Sequence, residues 1–133
     1  MPRLVSIIAL ALLVAQPLRA DQWDALRADP VISEGLIRFA IARHIHNRCE
    51  DISARRLRAF GYITSLVNMA EDMGYSRSEI RAYVDDEAEQ DRVRALADER
   101  LAARGASPEQ MDGYCTVGRE EIAAGSEIGR LLR

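Results

Sequence analysis

The apolar residues between positions 52 and 73 recur with a helical period. Ile52, Ala59, Phe60, Ile63, Leu66, Val67, Ala70 and Met73 fall within a sector of about 140° on a 3.6-residue wheel. Nowhere does a run of four to eight residues alternate apolar and polar side chains with the aromatic or β-branched enrichment of a strand. An all-α fold follows. A helix over about Ser53 to Met73 is closed by Gly74 as a left-handed cap, and Ser76 with Glu79 three places on supplies a capping box for the next helix. Further along, Val93, Leu96 and Ala97 lie opposite Ile80 and Val84, so a bend or break is expected between Asp85 and Asp91.

The remaining punctuation completes a small bundle of four to five helices. Asp21 to Ala28 forms a short leading helix holding Trp23, and Asp29-Pro30 forces extended backbone before the next element. A helix from about Val31 to Cys49 carries Ile32, Leu36 and Phe39 on one side and Ile37, Ile41 and Ile45 on another, the pattern of a central, buried helix. Gly105 ends the segment after Arg104. Ser107-Pro108-Glu109 then reads as N-cap, first-turn proline and dipole-favoured acid, opening a last helix. Its inner edge is built from Gly118, Ile122, Gly125 and Gly129. Interior glycines each cost about 1 kcal/mol relative to alanine, so this edge is expected to pack closely against the central helix or a partner.

Residues 1–20 stand apart from this pattern. Arg3 leads into an apolar run from Leu4 to Ala15, interrupted only by Ser6, and Leu18-Arg19-Ala20 precedes Asp21. This reads as a secretory signal peptide cleaved after Ala20, because about twelve apolar residues are too few to span a bilayer. Residues 21–133 then form one domain in the periplasm. Its size permits a single core of marginal stability, which a covalent staple would reinforce. The two cysteines, Cys49 and Cys115, are expected to pair there. A loop of that length is worth about 4 kcal/mol in the chain-entropy account.

Charge narrows the functional classes. All 18 basic residues are arginine, 21 carboxylates oppose them, and the formal charge is −3. Removal of Arg3 and Arg19 with the signal peptide makes the domain two charges more negative. Nucleic acid is therefore not the expected partner.

Several constellations have chemical readings that the spacing does not favour. His44 and His46 point about 200° apart on a helix and have no further ligands nearby, so solvated or capping roles are expected. Haem between helices would need a histidine with Met69, Met73 or Met111, but methionines at helical spacing are usually core filler. Asp85 to Asp91 holds five carboxylates but lacks the order and the glycine of a calcium loop. Arg55, Arg56 and Arg58 beside Arg48 form the densest basic patch, able to meet an anionic headgroup or an acidic partner. No Gly-x-Ser-x-Gly elbow, phosphate loop or His-Glu-x-x-His motif occurs. Neither enzymatic activity nor a metal or other cofactor is expected.

Cys49 to Met73, Gly74-Tyr75-Ser76 with Glu79-Ile80, and Tyr114-Cys115-x-Val117-Gly118 followed by Glu121-Ile122-x-x-Gly125-Ser126-x-Ile128-Gly129-Arg130-Leu131-Leu132 together carry a resemblance. Over most of residues 21–133 the chain resembles a domain-of-unknown-function family of small secreted alphaproteobacterial proteins, associated with the gene neighbourhood of respiratory complex I, the NADH:quinone oxidoreductase. The resemblance implies an accessory subunit on the periplasmic side of that complex, with membrane contact only through the partner. The alternatives are a small envelope or acid-stress chaperone, suited by many titratable carboxylates, and a secreted hydrolase whose site forms only in three dimensions.

Overall fold

Asp29 starts the longest helix: its backbone is extended, and its carboxylate accepts hydrogen bonds from the N–H groups of Val31 and Ile32 just beyond Pro30. The computed structural model describes residues 21–133, so the expected signal peptide lies outside the described residues. In chain order the helices are α1 (Asp24–Ala28), α2 (Pro30–Arg48), α3 (Arg56–Asp72), α4 (Arg77–Asp85), α5 (Glu87–Ala102), α6 (Asp112–Ala124) and α7 (Glu127–Arg130). No strand occurs among the described residues.

Helix α2 is central, as its two apolar faces imply. Ile37, Ile41 and Ile45 enter the larger core with Ala97 and Leu101 of α5, Tyr114 and Val117 of α6, and Ile128 of α7. Ile32 joins Leu26, Ala70, Ile80 and Tyr83 in a second, smaller core. Burying each Leu or Ile contributes about 1.5–3 kcal/mol, so α2 links two apolar centres that neither flank could hold alone. Gly35 allows the approach of α3, since a Cβ there would meet Leu66 Cδ2 at 2.7 Å.

The boundaries mostly follow the local signals. The capping box of α4 forms, with the Glu79 N–H donating to Ser76 Oγ and the Ser76 N–H donating to Glu79 Oε2. Gly74, at φ 98°, ends α3 with its own N–H on the Glu71 carbonyl and the Tyr75 N–H on that of Ala70. The bend expected between Asp85 and Asp91 is a complete break at Asp86, whose side chain caps α5 by accepting from the Glu89 N–H.

Three expectations are corrected. Helix α3 begins at Arg56 instead of Ser53, because Ser53 and Arg133 exchange backbone hydrogen bonds and the Arg55 N–H donates to the Leu131 carbonyl. Those pairings hold residues 53–55 outside the helix. Ser107 does not cap the last helix: its hydroxyl donates to Glu109 Oε2, a turn closes from Gln110 to Ser107, and α6 starts at Asp112. Phe60, placed by its period on the buried sector, is 74% exposed. α3 fully buries only Leu66 and Ala70, so the sector that meets α2 and α4 is narrower than the apolar one.

Candidate functional site

A cleft of about 750 Å³ lies between α2, α3, α4 and α5. Its floor is apolar, from Leu36, Phe39 and Ala40 of α2, Ile63 of α3, Val84 of α4 and Val93 of α5. Its rim is polar, with Arg43, His44, Asn47 and Arg48 on one side and Glu89, Gln90 and Arg94 on the other. The break at Asp86 separates α4, which contacts α3, from α5, which packs on α2. The cleft's volume lies within the roughly 300–1,000 Å³ range of small-molecule pockets.

Two buried polar groups stand at the rim. His44 is 8% exposed, and its Nδ1 lies 2.8 Å from Asp98 Oδ1, an ion-pair distance but out of line for a hydrogen bond. Burial pushes the imidazole below its ordinary pKa, Arg48 and Arg94 act in the same direction, and Asp98 opposes them. The expected solvated or capping role is thus wrong for His44, because its face of α2 turns under α5. His46 is exposed to solvent, and its Nδ1 lies 3.1 Å from the carbonyl of Ile52 in the loop after α2, so it ties that loop to the helix and caps neither helix end. Glu89, 5% exposed, receives Arg27 Nε and Arg92 Nε, and Arg92 Nη2 reaches the Tyr83 hydroxyl at 3.3 Å. This ion cluster keeps the start of α5 against α1 and α4, and its hydrogen bond to Glu89 raises the pKa of Arg27.

The acidic run therefore divides by role. Asp86 is a cap, Glu89 is engaged by two arginines, and Asp91 pairs with Arg94 at 2.8 Å. Among the described residues no three His, Cys, Asp or Glu side chains are arranged to hold a metal ion. Met73 and Met111 are each a little under half exposed, and no methionine lines the cleft beside His44.

Cys49 and Cys115 are joined, with their Cα atoms 5.2 Å apart, fixing the end of α2 to the first turns of α6. Arg48 stacks over the Tyr114 ring at 5.0 Å beside this bond.

The glycine edge is not one continuous surface. Gly118 does permit a close approach, since an added Cβ would meet Ile52 Cδ1 at 2.4 Å and Ile45 Cγ2 at 2.7 Å. Ile122 is half-buried against the larger core. Gly125 is instead the left-handed cap of α6, at φ 60° with nothing near its Cβ position, and so it forms no packing edge. Ser126 caps α7 by accepting from the Gly129 N–H. Gly129 folds back on α6, where a Cβ would lie 1.9 Å from the Glu121 carbonyl oxygen. The period of three and four persists through Gly125 although the helix does not. A glycine followed by serine is itself a stop-and-restart signal, and it prevails here.

A family model matches residues 24–133: the chain belongs to a family of unknown function (DUF5333). No curated protein and no solved structure matches it.

Proposed function

We propose that this member of the family is an exported, non-enzymatic binding protein that receives a protein segment in the α2–α5 cleft, and that its partner is respiratory complex I on the periplasmic side. The cleft carries the binding reading: an apolar floor edged by Arg43, Arg48 and Arg94 suits an amphipathic segment with acidic side chains. The residues lining it include no serine, threonine or cysteine to pair with His44, which favours binding over nucleophilic hydrolysis. Export is supported by the apolar run Leu4 to Ala15 and by the disulfide. The choice of complex I rests on the resemblance carried by residues 49–80 and 114–132.

Affinity capture from solubilised membranes tests both parts. Tagged wild-type protein should recover complex I subunits. A Val84→Arg variant, altered at a side chain that is 43% exposed, should lose them while keeping its thermal unfolding midpoint. Recovery of no complex I subunit by the wild type removes that partner, and equal recovery by the variant removes the cleft as the binding site.

A further inference from the structure

Among the described residues the two most exposed large apolar side chains lie away from the cleft, one turn apart at the start of α3: Leu57 is 89% and Phe60 74% exposed. On a 3.6-residue helix they lie about 60° apart, with Arg56 and Arg58 about 100° to either side of Leu57. Both arginines are exposed and neither forms an ion pair with a described residue, so their charges are free to meet an anionic surface. From Ile52 to Ala70 the chain holds no carboxylate, although it carries 21 in all. The backbone pairing of residues 53–55 with the C-terminal residues brings Arg133 alongside, its Nε 3.2 Å from Ser53 Oγ.

We infer that the start of α3 is a membrane-docking surface, in which Leu57 and Phe60 enter the headgroup–acyl boundary of a bilayer and Arg56 and Arg58 engage anionic phospholipid headgroups. Charge complementarity selects this occupant: the patch is locally cationic on a chain of formal charge −3. Size selects it over a protein. Two protruding side chains are far short of the roughly 800 Å² per partner that a stable protein interface needs, but they suffice as apolar anchors assisted by basic residues. A second copy meeting this patch about a two-fold axis would set arginine against arginine. The surface depends on neither the cleft nor complex I, and it departs from the expectation that membrane contact runs only through the partner.

Co-sedimentation of the disulfide-intact protein with phosphatidylcholine vesicles, with and without phosphatidylglycerol, tests the assignment. Binding should require phosphatidylglycerol, weaken with salt, and resist competition by inorganic phosphate. Arg56→Gln/Arg58→Gln should weaken it by about thirtyfold, the combined weight of two surface arginines. Leu57→Ser/Phe60→Ser should abolish it, with the thermal midpoint of each variant unchanged because these side chains face solvent. The emission of Phe60→Trp should shift to the blue on vesicle addition. Absence of binding, equal binding to pure phosphatidylcholine, unchanged binding by the variants, or a concentration-dependent dimer that these variants dissolve would each overturn the inference.

Discussion

His44 shows how a single side chain makes stability depend on pH. Burial lowers its pKa from an ordinary value near 6.5, so the unfolded chain takes up a proton at a higher pH than the folded one. In that window the unfolded state binds more protons, and stability therefore rises with pH. It is fully present above about pH 6.5 and declines as pH falls toward the depressed value, with a slope approaching about 1.4 kcal/mol per pH unit. Urea unfolding of the wild type between about pH 7.5 and 5.5 should show this decline, and His44→Gln should flatten it. An unchanged slope in the variant would assign the effect to other groups. The histidine itself was plain in the sequence, but its burial was not, because 100° of rotation along α2 says which residues share a face and not which neighbour covers it.

At the scale of elements, the join between α6 and α7 separates two uses of glycine. Gly129 lies where a Cβ would strike the Glu121 carbonyl, a backbone atom that cannot yield cheaply, and Gly129→Ala should cost about 2–3 kcal/mol. Gly125 has open space but a left-handed backbone, so Gly125→Ala should cost about 1 kcal/mol through φ alone. Gly61, inside α3 with nothing near its Cβ position, should gain about 0.5–1 kcal/mol on change to alanine. Urea midpoints should rise from Gly129→Ala through Gly125→Ala to Gly61→Ala, and a stabilised Gly129→Ala would disprove the close approach. Helix α4, its capping box and the stop at Gly74 were legible because each is decided by residues within one or two turns. The starts of α3 and α6 were not, since residues 53–55 answer to the C-terminal residues and Ser107 answers to Glu109.

For the whole molecule, the Cys49–Cys115 bond joins the central helix to α6 across a sequence separation of 66 and beside the larger core. A loop of that size restricts the unfolded chain substantially, so Cys115→Ser should lower stability by about 2–5 kcal/mol in urea unfolding. A midpoint equal to that of the wild type would show the bond to be dispensable. Helical content, the central place of α2 and the pairing of the two cysteines were all determined by the sequence alone. Periodicity and capping are local, and two cysteines in one chain have one intramolecular partner each. The cleft, the burial of His44 and Glu89, the exposure of Leu57 and Phe60, and the fold-back of Gly129 were decided only by tertiary structure. Each depends on which helix face meets which neighbour, and that is settled by packing between segments far apart in the chain, to which no local pattern of residues has access.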